Sequence, residues 1–466
     1  MGWALNSHIA NDFLLRKTFM NLRFTPLALA LTGGLSGLFT SGVQAQNLVS
    51  LFEAAKGYDA TFKSAQSQYT ATLAKADQGL GSLLPTAGLS ANTTKTEVSP
   101  ASSNTNVSLS SQAASLTASQ PLYRPANLAN YRQAQKQVDL ARAQIKAAEQ
   151  ELIVRVSQAY FDVLGSRDSL IFVQAQKKAV AEQLAAAKRN FEVGTSTITD
   201  TREAQARYDL VLAQEIAADN DLRVKKLALD LLVGTSNTDP KSLMLPVQLQ
   251  APQPADINTW VMQAADHPGI AQARVAFEVA SFEIDKAKAG HQPTLDLNAS
   301  YGPTRYSSST LGAGKGLTTA QSDNTTASVN LTFNLPLFAG FATENRIKET
   351  VALQDKARAD LETAERNVAQ ATRTAYLGLQ SGLGQVKALE AAESSSQAAL
   401  DANQLGYKVG VRINIDVLNS QSQLYQTKRD LAKARYDVLV GQLKLRQANG
   451  SLKADDLQAV NALLAK

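Results

Sequence analysis

Two aspartates stand at matching places in the chain. Asp200 lies six residues after Gly194, and Asp416 lies six residues after Gly410. Each follows a Val-Gly pair, Val193-Gly194 or Val409-Gly410, and each opens a long helical pattern. A carboxylate at such a place caps the free N–H groups of the first turn, and Asp200 with Glu203 fits a capping box. It can also accept from a guanidinium, and Arg412 stands four residues before Asp416. Several copies gathered round an axis would attract cations. The chemistry on offer is capping, charge pairing and ion attraction, with no bond made or broken.

Nothing else in the chain points to catalysis. Cysteine is absent, which excludes disulfides, thiolate metal sites, cysteine nucleophiles and a lipid anchor on an N-terminal cysteine. Of three histidines, His8 falls in a segment expected to be removed, His267-Pro268 reads as a helix start and His291 as a helix end. No catalytic residue, metal or cofactor is expected. Neither a nucleophile elbow nor a phosphate loop occurs. The net charge of +5 is spread without a Lys/Arg run, so nucleic acid is not an expected partner. Aromatics make up only 6%, which suits long helices with small contact residues better than a compact aromatic core.

The first 45 residues read as an N-terminal extension followed by a secretory signal. Arg23 gives a basic flank, an apolar run covers 27–31, and Val43-Gln44-Ala45 places small residues where a signal peptidase reads them. Cleavage is expected after Ala45, and Met20 is a more natural start than Met1. No later segment is apolar for long enough to be a spanning helix. An exported chain of this kind can enter a membrane only as strands.

The rest of the chain is one unit written twice. Val193-Gly194, Asp200 and Gly234 recur as Val409-Gly410, Asp416 and Gly450, and Ala159-Tyr160 recurs as Ala375-Tyr376, all 216 residues on. Pro121-Leu122 recurs as Pro336-Leu337, and Pro85-Thr86 as Pro293-Thr294. Each half predicts a helix (48–82; 257–290), a strand pair, a very long helix (127–193; 342–409), a Val-Gly turn and a helix about half as long (200–233; 416–449). At 1.5 Å per residue the long helices reach about 100 Å and the others about 50 Å. One long helix therefore matches two short ones laid end to end.

The strands alternate. Over 294–301, Leu295, Leu297, Ala299 and Tyr301 share one face, with Asp296, Asn298 and Ser300 on the other. Over 329–335, Val329, Leu331, Phe333 and Leu335 oppose Asn330, Thr332 and Asn334. A Ser/Gly/Thr-rich loop is expected between them, over 307–326. A weaker copy covers 86–94 and 107–118, around a polar loop at 99–106. This is the pattern of an outer-membrane barrel, with Leu295, Leu297, Val329, Leu331 and Phe333 toward lipid. Four strands cannot close a barrel, since the smallest needs about eight. Lipid forbids open edges, so several chains must combine.

The run from Tyr407 through Arg412 and Asp416 to Leu418, continuing into Ala434-Arg435-Tyr436, resembles the C-terminal signature of the TolC family of outer-membrane proteins. Val193-Gly194 through Asp200 to Ala206-Arg207-Tyr208-Asp209 resembles its first-half counterpart. The resemblance implies an α+β membrane protein and a homotrimer. Twelve strands, four per chain, form one barrel in the cell outer membrane, continuous with a long periplasmic helical barrel. It implies an exit duct for efflux or type I secretion, opened at its periplasmic tip by a periplasmic adaptor and an inner-membrane transporter. It implies a gate of Thr199, Asp200, Tyr407 and Arg412, a constriction at Asp416 with Asn419 where relatives carry a second acid, and tip turns at Gly194 and Gly410.

The expected divisions are 1–45 leader, 46–84 helix, 85–124 strand pair, 125–234 helical hairpin, 235–256 equatorial linker, 257–292 helix, 293–340 strand pair, 341–450 helical hairpin and 451–466 tail. The competing reading is a periplasmic or surface coiled-coil protein with a small β module.

Overall fold

The computed structural model describes residues 46–98, 106–244, 246–312 and 315–465. The expected leader and the centre of the first polar loop lie outside these residues. The opening helix is α1 (Leu48–Tyr58) and α2 (Ala60–Gly81), leading to strands β1 (Thr86–Val98) and β2 (Asn106–Tyr123). Helix α3 (Pro125–Glu192) and α4 (Ile198–Val233) complete the first half. The second half repeats this order with α5 (Ile257–Gln263), α6 (Pro268–Lys288), β3 (Thr294–Gly312), β4 (Lys315–Asn334), α7 (Ala342–Lys408) and α8 (Asn414–Ala448), and α9 (Asp456–Asn461) closes the chain. No described helix is long and apolar enough to cross a membrane.

Each opening helix is broken where the sequence pattern predicted it continuous. The Asp59 carboxylate caps α2, accepting from the Phe62 N–H at 2.8 Å. His267, at the equivalent place, caps α6 through Nδ1, which accepts from the Gly269 N–H at 3.0 Å. Pro268 starts α6 and lacks the N–H that would have continued the preceding turn.

The long helices span 68 and 67 residues, about 100 Å each. Helix α3 packs against both α2 and α4, and α7 against both α6 and α8. Since α3 also packs against α6 and α8, the four tracks run side by side as α2 with α4, α3, α6 with α8, and α7. The short helices meet end to end at two glycines, Gly234 at the C-cap of α4 and Gly450 just after the Asn449 C-cap of α8. Gly234 has φ +77°, and a β-carbon there would lie 2.3 Å from the Tyr58 ring. Gly450 has φ +77°, and a β-carbon there would lie 2.6 Å from the His267 α-carbon. Only glycine meets both demands.

The main core lies at this junction. Phe52 of α1, Tyr160, Phe161 and Leu164 of α3, Leu229 of α4 and Leu439 of α8 are buried together. The tail joins them: Leu457 is fully buried, and Asn461 accepts from the Leu48 N–H at 3.2 Å.

The strands form one antiparallel sheet in the order β1-β2-β3-β4, the order of the helical tracks they adjoin. The 307–326 segment, expected as a loop, is paired strand for most of its length. Residues 307–312 extend β3 and 315–326 extend β4, in register from Ser307↔Gln321 to Thr310↔Thr318. Its serines and threonines are polar on both faces, so composition hid a ladder held mainly by backbone pairing, with Arg305 donating to Asp323 across it at 3.0 Å. Among the described residues, β1 and β4 each leave an unpaired edge.

Candidate functional site

The register lines up the two faces of the sheet. Leu89, Leu116, Tyr301 and Ala327 form one row across the four strands, and Ala87, Ala118, Ala299 and Val329 form the next. Leu295 pairs with Phe333 and Leu297 with Leu331, so the five expected lipid-facing residues share this face. Val329 is 73% exposed, Leu331 63% and Phe333 64% within one chain. The opposite face carries a polar ladder. The Ser119 hydroxyl donates to Asn298 at 2.8 Å, and Ser300 and Ser328 share a 2.8 Å hydrogen bond.

At the far end of the long helices lie the two Val-Gly turns. Gly194 has φ +77° and Gly410 φ +80°, the left-handed conformation a helix stop requires. Around them Val193, Val409, Val411 and Ile413 stand exposed.

The first turn differs from expectation in its cap. Thr197, not Asp200, is the N-cap of α4, and Asp200 rather than Glu203 completes the box. The Asp200 N–H donates to the Thr197 hydroxyl at 3.2 Å, and the Thr197 N–H donates back to Oδ2 at 3.1 Å. The Ser196 hydroxyl donates to the same Oδ2 at 2.6 Å. The Ser196 bond, with the Thr197 N–H and hydroxyl, holds this carboxyl below the usual aspartate range. Asp416 is likewise the third residue of its helix. The N-cap there is Ile413, which offers no side-chain bond.

The four expected gate residues do not bond one another within the chain. Arg412 Nη1 lies 3.7 Å from Asp416 Oδ2, an exposed guanidinium beside a half-buried carboxylate within one turn. The Tyr407 hydroxyl accepts from Asn190 Nδ2 at 3.2 Å. Thr199 is exposed. Thr199 and Asp200 begin α4, on one open side of the row of tracks, and Arg412 follows α7, on the other.

Besides Tyr407, residues to which the sequence reading gave no role, Asn414, Gln183 and Arg207, make contacts between the two hairpins. Asn414, 1% exposed, accepts a short hydrogen bond from Gln183 Nε2 and donates to the Asp200 carbonyl at 3.3 Å. Arg207 Nη2 donates to Asn419 Oδ1 at 2.8 Å. The signal for Asn414 was an asparagine among apolar neighbours, Ile413 and Ile415, at the helix start. Gly406 lets Arg412 fold back: a β-carbon there would lie 2.7 Å from Arg412 Cγ.

A duplicated chain with one four-stranded sheet, split helical tracks and capped Val-Gly tips is matched by a family model. The model described as outer membrane efflux protein matches residues 51–235 and 262–451. The chain belongs to that family. It is 32% identical over 448 residues to the outer membrane protein TolC of Escherichia coli (strain K12), covering 95% of this chain and 90% of that protein. It is 31% identical over 355 residues to the alkaline protease secretion protein AprF of Pseudomonas aeruginosa, covering 76% and 72%. In fold it is similar to the outer membrane protein VceC of Vibrio cholerae, with a TM-score of 0.73 at 19% identity over 87% of this chain and 96% of that one. Family membership accounts for the duplicated plan and the outer-membrane barrel fold, and it displaces the coiled-coil structural reading.

Proposed function

We propose that three copies of this chain form an outer-membrane exit duct for efflux or type I secretion, with no catalytic step of its own. The observation that carries this reading is the pair of open edges. Strands β1 and β4 each leave a row of unpaired backbone groups beside an exposed apolar face, which lipid does not tolerate. The helical tracks are open on the same sides, where α4 exposes Ile216, Leu227 and Leu231 and α7 exposes Val351 and Leu377. Joining β4 to the β1 of a second copy, and α7 to its α4, satisfies both at once. Three copies give twelve strands, enough for a closed barrel.

In this reading residues 85–124 and 293–340 supply the membrane barrel, and the two hairpins, 125–234 and 341–450, the periplasmic tunnel. Leu295, Leu297, Val329, Leu331 and Phe333 meet lipid. The gate contact of Arg412 with Thr199 and Asp200 forms between copies, because these groups lie on opposite open sides of one chain, while Tyr407 holds its hairpin to Asn190 of the first hairpin. Asp416 lines the constriction beside Asn419. A periplasmic adaptor meets the exposed valines at the Gly194 and Gly410 turns and links the duct to an inner-membrane transporter. Relatives named for efflux and for protease secretion support a conduit whose cargo is set by that transporter.

The test is native mass spectrometry of the detergent-purified protein together with planar-bilayer recording. Trimers that conduct support the reading. Monomers or dimers without conductance refute it.

A further inference from the structure

We infer that Asn414 is an in-chain latch of the closed tip, fastening the α7–α8 hairpin to the α3–α4 hairpin of the same chain. The inference rests on the channel reading above and names a positioning residue within it.

The seam between the hairpins runs along α8. Leu418, fully buried, packs with Val180, Leu184, Ala187 and Ala204 of the first hairpin, while Val417 packs with Leu400 of α7. Helix α8 is thus wedged between its own partner and the first hairpin. Asn414 lies one turn before Leu418, at the first residue of α8, and its side chain binds two helices at once. The Asp200 carbonyl can only accept, so the Asn414 amide must present its nitrogen there and its oxygen to Gln183. The orientation is determined, and each bond ties α8 to a different helix of the first hairpin. Further from the tip the seam is polar again: Arg429 Nη1 donates to Gln176 at 3.2 Å, and Gln176 Nε2 approaches the Ser422 hydroxyl at 3.5 Å.

A seam built this way is suited to a joint that must hold and release. Separating Leu418 from its pocket exposes apolar surface in proportion to area. A polar pair exchanges partners with water at a small net cost, yet a buried one left unmade is expensive. Asn414 therefore holds while the seam is shut and rehydrates readily once α8 tilts away. Arg412 lies two residues before Asn414, so the residue assigned to the seam between copies and the latch within a chain are carried on the same short segment. Movement of that segment breaks both.

The experiment is single-channel recording of Asn414→Leu, with Arg412→Ser as a control, each in the full-length trimer. Asn414→Leu should raise conductance several-fold, as should the control. Wild-type conductance in Asn414→Leu beside a raised control would overturn the latch. Absence of any conducting wild-type trimer would instead refute the channel reading. Should Asn414→Leu fail to assemble, the cysteine-free chain allows a second measurement. Gln183→Cys with Asn414→Cys, joined by a reducible bis-maleimide, should conduct poorly and recover several-fold on reduction. Equal conductance before and after reduction, with cross-linking complete on a gel, would overturn the latch.

Discussion

Arg124 grips Asp296 with two prongs. Nε donates to Oδ1 and Nη2 to Oδ2, each at 2.7 Å. Arg124 is the last residue before α3, and Asp296 lies on the polar face of β3, so the pair ties the first half's long helix to the second half's hairpin. Asp296 is 8% exposed. Arg124→Ala leaves that carboxylate without its partner and should destabilise the assembly by about 1–3 kcal/mol. Arg124→Lys keeps the charge but loses the fork and should fall between the two. Heat-dependent migration of the trimer on denaturing gels would rank the three proteins.

The junction glycines predict a rescue. Gly234→Ala forces a left-handed residue to carry a β-carbon, a cost of about 1–2 kcal/mol, and drives that carbon into the Tyr58 ring. Adding Tyr58→Ala should relieve the clash but not the backbone. Thermal melts followed by circular dichroism should place the double variant above Gly234→Ala and below Tyr58→Ala.

His267 and Asp59 cap equivalent helices with different chemistry, and pH separates them. Burial pushes the His267 imidazole below its ordinary value of 6.5, with Lys146 lowering it further and a hydrogen bond involving the Gln447 backbone opposing. A depressed value means that folding favours the neutral ring, whose Nδ1 must accept from Gly269. The stabilisation is complete above pH 6.5 and is lost as pH falls through the lower folded value. The melting temperature should therefore drop between pH 7.5 and pH 5. His267→Asp, which copies Asp59, should flatten that drop. An unchanged slope would separate the histidine from the effect.

The strand faces make a paired prediction. A lysine at Leu331, in the middle of the apolar face, should cost about 2–4 kcal/mol and deplete the protein from the outer-membrane fraction. Thr332→Lys, on the polar face, should assemble near normally. The reverse result would exchange lipid and lumen.

At the proposed constriction, Arg207 changes what an added acid should do. Arg207 already donates to Asn419, so Asn419→Asp creates an ion pair more than a free charge. Block by a multivalent cation should strengthen only modestly in Asn419→Asp. It should strengthen further when Arg207→Gln is added, and it should vanish in Asp416→Ala. Arg412→Ser with Tyr407→Phe should raise single-channel conductance. Planar-bilayer titration with the cation reads both effects.

The sequence alone determined the duplication, the lengths of the long helices, the alternation of the strand faces and the Val-Gly tips. These follow from local rules: 1.5 Å per helical residue, alternation along a strand, and glycine where φ is positive. The apolar rows of 295–301 and 329–335 were legible because one face must avoid water whatever pairs with it. Tertiary structure decided what depends on partners distant in the chain. It extended the 307–326 segment into strand, since pairing of backbones leaves no trace in side chains that are mostly polar and do not alternate. It broke the opening helices at Asp59 and His267, where a cap competes with continuation. It moved the cap of α4 from Asp200 to Thr197, a choice set by backbone angles and not by residue type. It also brought Asn414 to Gln183 and Arg207 to Asn419, contacts spanning 231 and 212 residues of chain. A polar residue in a helical run reads as solvent-facing until the neighbouring helix is in place, and only packing showed Asn414 to be buried between two of them.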